Sequence, residues 1–239
     1  MIQDYKLFHY PLSSISSQKV IINTLNAHCY NIAQTDMLYQ EALIKSNVLI
    51  PDGISIVWAF KWLTGKKIKK IAGADLFFYE LERLQQKGGK CFFLGSTNMT
   101  LELIKEKMAR EYSNIKVDTY SPPYKPEFSV EENMAMLQLI NAFQPDVLML
   151  GMTAPKQEKW AYKHYKSLQV GHICCVGAVF DFYAATIKRA PQWMIKLGLE
   201  WFYRLIKEPR RLWHRYLIGN SLFIWSILKE KITNRGKFT

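Results

Sequence analysis

A carboxylate directly follows one short apolar segment of the chain. The sequence Pro51-Asp52-Gly53 comes after Val48-Leu49-Ile50, and a helical period begins near Ile54. An aspartate at the end of a strand can take a proton from an attacking hydroxyl group. An aspartate in front of a helix can instead cap it by accepting backbone N–H bonds. The spacing alone leaves both roles open for Asp52.

Two later segments also place polar groups behind an apolar run. Gly151 to Trp160 brings Lys156, Gln157 and Glu158 to the start of a predicted helix with Pro155 at its first position. These side chains either bind a phosphate or sugar, or belong to an ordinary loop-to-helix junction. Gly177 ends the last apolar run, and Asp181 follows it, either to bind hydroxyl groups of a ribose or sugar or to cap the next helix.

The elements that must position these residues follow an alternating pattern. Short β-branched or apolar runs are separated by longer segments of helical period, which predicts an α/β fold with a mostly parallel sheet flanked by helices. The predicted strands are Lys19–Thr24, Val48–Ile50, Lys90–Leu94, Ile115–Tyr120, Asp146–Leu150 and Ile173–Val176. The predicted helices lie near Thr35–Lys45, Ile54–Leu63, Ala74–Lys87, Asn98–Tyr112, Val130–Phe143 and Pro155–Ser167.

The predicted strands bring the polar residues to one edge. Open α/β sheets bind ligands outside the carboxyl ends of their strands. The residues expected at those ends are Thr24, Asn26, Asp52, Gly53, Gly95, Ser96, Gly151 to Glu158, and Gly177 to Asp181. Glycines and helix N-termini at such an edge suit a diphosphate. Neither a G-x-G-x-x-G fingerprint nor a P-loop is present.

The positive charge is concentrated in the C-terminal tail. Residues 188–239 hold 12 of the 32 Lys and Arg residues but only three acidic ones. Arg204, Lys207, Arg211 and Arg215 recur at helical spacing beside Trp and Tyr residues, a composition typical of an interfacial helix on anionic lipid. The alternative is a helical hairpin packed on the domain. We therefore divide the chain into an α/β catalytic domain, 1–190, and a basic, aromatic helical appendage that associates with membranes, 191–239.

The remaining composition argues against several classes of protein. The cysteines and histidines show no metal-ligand spacing, so we expect reduced core thiols, no metal and no cofactor. The N-terminus lacks a signal-peptide pattern, and the apolar tail segment Tyr216–Leu228 is too short to span a bilayer. The expected location is cytoplasmic and peripheral, on the inner face of the plasma membrane. A homo-oligomer is compatible with the sequence.

Several motifs in a shared order make the sequence resemble the WecG/TagA/CpsF glycosyltransferases over nearly its full length. The motifs are Thr24-Leu25-Asn26, Pro51-Asp52-Gly53, Ala72-Gly73-Ala74-Asp75-Leu76, Phe93-Leu94-Gly95-Ser96, Ala154-Pro155-Lys156-Gln157-Glu158, Gly177-Ala178-Val179-Phe180-Asp181, Lys188-Arg189-Ala190-Pro191 and Leu197-Gly198-Leu199-Glu200-Trp201. Each motif alone is weak, whereas their order is specific. The sequence departs from the family pattern at Thr153 and Ala185, where glycine is common.

The resemblance implies a Rossmann-like domain with a C-terminal appendage and a defined activity. That activity is transfer of a sugar, often of N-acetylmannosamine type, from a UDP donor to an undecaprenyl-diphosphate-linked sugar, with inversion and without a metal. It implies Asp52 as the base and Thr24 as its neighbour. The family's motifs place Gly73, Asp75 and Arg189 among the substrate-binding residues, and Arg204, Arg210 and Arg211 at the donor diphosphate.

Two other functions are compatible with parts of the sequence. A basic, aromatic tail also suggests a nucleic-acid-binding module. Against this alternative, Lys and Arg are not spread over the surface of the α/β domain, and no nucleic-acid-binding motif is present. A nicotinamide-dependent oxidoreductase can use the same sheet but needs the missing glycine fingerprint. On the glycosyltransferase hypothesis, the tail from about Arg210 onward is the membrane contact, so truncation after Tyr216 should mainly weaken membrane binding.

Overall fold

Six parallel strands form a single sheet in the order β2-β1-β6-β5-β3-β4. The computed structural model describes residues 1–235, apart from the side chains of Lys196, Asn234 and Arg235. The strands are β1 (Val20–Leu25), β2 (Val48–Pro51), β3 (Gly89–Gly95), β4 (Ile115–Tyr120), β5 (Val147–Gly151) and β6 (His172–Cys175). All six predicted strands are confirmed, with ends that differ by at most one residue.

The inner strands of the sheet are mainly apolar because helices cover both faces of the sheet. The register pairs Leu94 with Leu150 and Gly95 with Gly151, so the carboxyl ends of β3 and β5 are level. Thr24 pairs with Ile50 in the same way on the other side of the sheet. All four cysteines are buried and unpaired, as expected of core thiols.

Twelve α-helices are present in residues 1–235. They are α1 (Ala27–Ala33), α2 (Met37–Ile44), α3 (Ile54–Thr64), α4 (Gly73–Lys87), α5 (Asn98–Glu111), α6 (Val130–Phe143), α7 (Lys156–His164), α8 (Val179–Tyr183), α9 (Gln192–Lys196), α10 (Glu200–Lys207), α11 (Pro209–Trp213) and α12 (Gly219–Arg235). The six predicted helices correspond to α2 to α7. The sequence did not predict α1, and Pro155 lies at the N-cap of α7 rather than at its first helical position.

The helices divide between the two faces of the sheet. One face packs on α4, α5 and α8, which contribute Phe77, Ile104 and Phe180 to its core. The other face packs on α6 and α7, through side chains such as Ile140 and Trp160. Helices α1, α2, α3 and α12 extend this second layer around a core of their own.

The appendage folds back onto the α/β domain. A π-helical turn (His214–Ile218) leads from α11 into α12, and Phe223 and Ile227 of α12 are fully buried against α1. Glu230 accepts a hydrogen bond from the backbone N–H of Ile2 at 2.9 Å. The division at residue 190 stays a prediction, but α12 shares a core with the first residues of the chain. Of the helices in the described part, none has the length and apolarity that crossing a membrane requires.

Candidate active site

The topology opens two crevices at the carboxyl edge of the sheet. After β1 the chain continues into α1 on one face, whereas after β6 it continues into α8 on the other. The same divergence separates α5, which follows β3, from α7, which follows β5. Neighbouring strands whose helices leave on opposite faces create ligand-binding crevices. Each crevice contains a cavity.

The central cavity lies at the β1–β6 crevice and has a volume of about 650 Å³. The predicted site residues that line it are Thr24, Asn26, Asp52, Gly53, Gly73, Gln157, Glu158, Gly177, Arg189, Arg204 and Arg211. Five helices, α1, α3, α4, α8 and α10, begin among its lining residues. Their N-terminal N–H groups add positive partial charge to the cavity.

Asp52 occupies the floor of the central cavity at the end of β2. Its backbone N–H donates to the Leu25 carbonyl at 2.9 Å, which ties it to the adjacent strand. Helix α3 begins after Gly53 without a side-chain cap, so the capping role left open for Asp52 is not the one it has. Gly53 has a φ of 121°, a conformation that a side chain strongly disfavours, and this turn aims the aspartate into the cavity.

Burial raises the pKa of Asp52 to about 6. The positive charges of Lys70 and Arg215 oppose that shift in pKa, and the negative charges of Glu200 and Asp75 add to it. A carboxylate with such a pKa is ionised near neutral pH yet basic enough to accept a proton from a hydroxyl group.

Two polar residues at the carboxyl end of β1, one in the strand and one just after it, line the same cavity as Asp52. Thr24 is almost fully buried and packs its methyl group towards Gly73, where an added Cβ would lie 3.8 Å from it. The side-chain oxygen of Asn26 accepts from the Cys29 N–H at 3.0 Å and caps α1. The NH₂ end of Asn26 is therefore the part of this side chain left for a ligand.

Gln157 and Glu158 form a buried pair in the same cavity. Gln157 Nε2 donates to Glu158 Oε1 at 2.9 Å, and Glu158 is only 1% exposed. Burial raises the pKa of Glu158 to about 7. Glu158 Oε2 and Gln157 Oε1 have no partner among the described residues, so both are available to a bound hydroxyl or amide group.

The appendage supplies one wall of the central cavity with three arginines. Arg204 lies 5.5 Å from the centre of the Phe182 ring, and its Nε has no hydrogen-bond partner among residues 1–235. Arg211 pairs with Glu208. Arg189, which belongs to the α/β domain, donates to Glu200 of the appendage at 3.1 Å. Arg215 completes this wall. Such a cluster of cations suits a diphosphate.

The side cavity lies at the β3–β5 crevice and has a volume of about 1120 Å³. It contains Ser96, Gly151, Lys156 and Asp181 from the predicted site, together with the loop of residues 121–128. Lys156 Nζ donates to the Lys125 carbonyl at 2.5 Å and lies over the Phe128 ring. Burial raises the pKa of Asp181, whereas Arg211 and Arg204 lower it, so this carboxylate lies near the arginine wall. Residues 152–154 line both cavities.

Three predicted site residues lie outside both cavities. Asp75 accepts a hydrogen bond from the Ala72 N–H at 2.8 Å and closes the first turn of α4. Gly95 allows β3 to approach β5, because an added Cβ would lie 2.6 Å from the Gly151 backbone. Arg210 points to solvent from α11. Their sequence neighbours reach the cavities, but these three do not.

The prediction omitted several residues of the central cavity. Arg215 could have been predicted from the sequence, because it is four residues beyond Arg211 on the same predicted helical face. Lys70 and Trp58 reach the cavity only through the packing of α3 and its following loop. His28 also lines the central cavity, and burial together with the positive charge of Arg215 lowers its pKa to about 4. Within residues 1–235 no group of three or more His, Cys, Asp or Glu side chains could hold a metal ion.

The fold and the cavities define an α/β enzyme with a basic, helix-lined cleft at the carboxyl edge of its sheet. The Glycosyl transferase WecG/TagA/CpsF family model matches residues 8–237, so the chain belongs to this family and is a glycosyltransferase. This membership favours that class over the nucleic-acid-binding and nicotinamide-dependent alternatives.

Curated relatives agree with the family assignment. The chain is 32% identical over 232 residues to the N-acetylglucosaminyldiphosphoundecaprenol N-acetyl-beta-D-mannosaminyltransferase of Bacillus subtilis (strain 168), covering 95% of this chain and 85% of that protein. Proteins of the same name show 30% identity in Bacillus spizizenii, with 81% and 72% coverage, and 28% in Staphylococcus aureus (strain MW2), with 97% and 87% coverage.

Proposed function

We propose that this chain is an inverting glycosyltransferase that moves a sugar from a UDP donor to an undecaprenyl-diphosphate-linked sugar. By analogy with its relatives, the transferred sugar is of N-acetylmannosamine type or a related hexose, and the acceptor sugar is N-acetylglucosamine. The product serves cell-surface polysaccharide synthesis. One observation carries the proposal: Asp52, a carboxylate with a pKa of about 6, faces an arginine wall across the central cavity.

In the proposed reaction Asp52 acts as general base. It accepts the proton of the acceptor hydroxyl as that oxygen attacks the anomeric carbon of the donor sugar. The bond from this carbon to the diphosphate breaks with its electron pair on the leaving oxygen, and UDP departs from the opposite face. Thr24, Gln157 and the amide of Asn26 orient sugar hydroxyl groups within hydrogen-bond range.

The charge that develops on the departing UDP requires fixed positive groups. Arg204, Arg211 and Arg215 provide it, together with the helix starts at the central cavity. Groups positioned before the reaction stabilise a developing charge without having to reorganise. No metal is assigned to the proposed reaction.

We place the nucleoside of the donor in the side cavity. The cavity is adjacent to the arginine wall, and residues 152–154 connect it to the central cavity. Asp181 there is an acceptor for ribose hydroxyl groups, and the loop of residues 121–128 offers the exposed ring of Tyr124 at its rim.

The proposed location is peripheral, on the inner face of the plasma membrane. The appendage exposes large apolar side chains next to its basic residues. They include Trp193, Leu197, Phe202, Ile206, Trp213 and Leu217. Exposed apolar and aromatic groups among arginines are typical of segments that lie in the interface of an anionic bilayer.

The central test is turnover of an Asp52→Asn variant. The full chain would be incubated with a panel of UDP-sugars and lipid-diphosphate-linked sugars, with UDP release and product mass as readouts. We expect Asp52→Asn to lower turnover by about 10²-fold or more, because the amide cannot accept the proton. Asp118→Asn on β4, outside both cavities, is the matched control and should keep normal turnover. Near-normal turnover of Asp52→Asn would remove the base assignment, and no UDP release from any pair would overturn the proposed function.

A further inference from the structure

Helix α3 presents a row of large apolar side chains to solvent. Ile54, Trp58 and Trp62 are spaced by four residues and therefore share one helix face. Trp58 is 52% exposed and stacks on Trp62, with ring centres 5.4 Å apart. The opposite face of α3 carries Ile56 and Ala59, which are fully buried. The exposed row is therefore an additional apolar face and not part of the core.

A lysine cluster follows directly on this row. Lys61 is exposed on α3, and the loop of residues 65–70 adds Lys66, Lys67, Lys69 and Lys70. Residues 54–71 contain no Asp or Glu. Residues 1–190 hold 22 Lys and Arg against 17 Asp and Glu, and five of these lysines fall within ten residues, which makes this segment the most basic one of the α/β domain.

Helix α12 continues the same surface. Its outward side chains Ile224, Leu228 and Ile232 recur at spacings of four, opposite the buried Phe223 and Ile227. Lys231 Nζ donates to the Trp62 carbonyl at 2.9 Å and lies 5.8 Å from the centre of the Trp62 ring. These two contacts join α3 and α12. We define the α3–α12 face as Ile54, Trp58, Trp62, Ile224, Leu228 and Ile232 with the lysines at 61, 66, 67, 69 and 231.

The central cavity opens on the α3–α12 face. Ile54 and Trp58 line the cavity from one side and Ile224 lines it from the other, and each is about half exposed. Lys70 also lines the cavity. A molecule bound near Asp52 can therefore extend out between α3 and α12 along apolar side chains.

We propose that the α3–α12 face docks on an anionic lipid bilayer, as a second contact in addition to the appendage helices α9 to α11. Tryptophan rings favour the headgroup level of a membrane, and each lysine near an anionic surface adds a roughly fivefold gain in binding. A nucleic acid would pair with the lysines but would leave the aliphatic row of α12 and Ile54 of α3 without a partner. Charge complementarity and apolar area together match a bilayer.

The α3–α12 face lies at the mouth of the central cavity, and on the proposed function this position gives it a role in binding the lipid-linked acceptor. A polyprenyl chain cannot leave the bilayer without exposing its apolar surface to water. Docking of the cavity mouth on the bilayer lets the diphosphate-linked sugar enter while the polyprenyl chain stays among lipid tails, next to Ile54, Trp58 and Ile224.

The test is partition of the full chain onto vesicles of phosphatidylcholine with 30% phosphatidylglycerol. The variant Lys66→Gln/Lys67→Gln removes two charges and touches neither cavity. We expect its partition coefficient to fall by about 30-fold at low salt, which is about fivefold for each lysine. Lys87→Gln/Lys116→Gln removes the same charge from exposed positions at the opposite edge of the sheet and should stay within about twofold of wild type. Trp62→Ser tests the aromatic part and should also weaken partition.

The outcomes separate this inference from the proposed function. If the loop variant binds vesicles as tightly as wild type, or loses no more than the Lys87/Lys116 control, the lipid-docking face is wrong. Loss of duplex DNA binding without loss of vesicle binding would also overturn it. Turnover with a water-soluble acceptor should be unchanged in Lys66→Gln/Lys67→Gln, whereas failure of the proposed function would appear as no turnover in wild type while vesicle binding persists.

Discussion

At the scale of single residues, the site depends on two carboxylates with different surroundings, the half-buried Asp52 and the buried Glu158. Charges of both signs act on Asp52, because Lys70 and Arg215 lower its pKa and Glu200 raises it. Glu158 has one amide partner and no cation within hydrogen-bond range among the described residues. The first is suited to cycle between charged and neutral forms during a reaction, whereas the second favours the neutral form up to about pH 7.

The raised pKa of Asp52 predicts a pH dependence of turnover. Because the base must be ionised, kcat/KM should rise with pH through about 6 and reach a plateau above it. The measurement is UDP release at low donor concentration between pH 4.5 and 8, with Asp118→Asn as a control that should keep the same profile. A profile without a rising limb between pH 5 and 7 would contradict the assignment of Asp52 as base.

The raised pKa of Glu158 predicts that the free energy of unfolding falls as pH rises. A carboxylate in an ion pair, whose pKa is lowered, has the opposite effect. In the unfolded chain this carboxyl ionises near pH 4.5, whereas in the folded protein it stays neutral until about pH 7. Stability is therefore lost as pH rises through this window. Glu158→Gln should be more stable than wild type by on the order of 2 kcal/mol at pH 8 and equally stable at pH 4.

The Glu158 prediction is checked by urea unfolding at both pH values. Glu106→Gln on the exposed face of α5 is the matched control and should show no such difference. Equal stability of wild type and Glu158→Gln at pH 8 would show that the folded protein does not penalise this charge.

At the scale of elements, the end of α8 carries a conformational cost. Ala184 caps the helix with ordinary helical angles, and Ala185 follows it with a φ of 58°. Helices often end in this left-handed conformation, but usually with glycine, because a Cβ makes it unfavourable by roughly 1–2 kcal/mol. This geometry gives a physical reason for the glycine that is common at this position.

Ala185→Gly should therefore stabilise the protein. The relief of the Cβ contact exceeds the extra freedom that glycine has in the unfolded chain, and the expected gain is about 0.5–1 kcal/mol. Ala184→Gly, one residue earlier at a φ of −68°, should instead destabilise by a similar amount. Urea unfolding of the two variants measures both effects, and a loss of stability in Ala185→Gly would contradict the argument.

Most strands were predictable because a parallel sheet covered on both faces consists largely of apolar runs. The edge strand β4 was predictable from its β-branched residues and its alternation of apolar and polar side chains. Helix α1 was not predictable from its own sequence. It has only seven residues, and Asn26, which caps it, also has the residue type expected of a ligand-binding position. Helix α12 begins at Gly219, directly after the π-helical turn, and the Asn31 side chain donates to the Gly219 carbonyl at 2.7 Å, which ties the start of α12 to α1.

At the scale of the whole molecule, the sequence correctly predicted that the site lies at the carboxyl edge of the sheet. It could not assign the site residues to two separate cavities. Whether a strand end belongs to the central or the side cavity depends on the face by which each helix leaves. That choice places Gly151 in the side cavity and Gly177 in the central cavity, although Gly151 ends β5 and Gly177 follows the neighbouring strand β6. Lys70 and Arg215 meet at Asp52 from segments 145 residues apart, through packing that no local pattern encodes.

The last helix also changes the expectation for the tail. Truncation after Tyr216 was expected mainly to weaken membrane binding, but it would remove Phe223, Ile227 and Glu230 from the core. Phe223 packs edge-on against the Tyr30 ring, with centres 5.3 Å apart, and Glu230 holds the N-terminal segment through Ile2. Helix α12 is therefore part of the structure that forms the site, and its loss should unfold or loosen the domain.

Two substitutions only two residues apart on α12 separate its buried and exposed faces. Phe223→Ala, at a side chain that is 1% exposed, should lower the free energy of unfolding by about 3–5 kcal/mol. Trp225→Ala, at a side chain that is 68% exposed, should leave stability within about 0.5 kcal/mol and weaken partition onto anionic vesicles. Urea unfolding and vesicle sedimentation measure both variants. If Phe223→Ala were as stable as wild type, α12 would be a detachable anchor, whereas the expected pair of results makes one helix both a wall of the core and a contact with lipid.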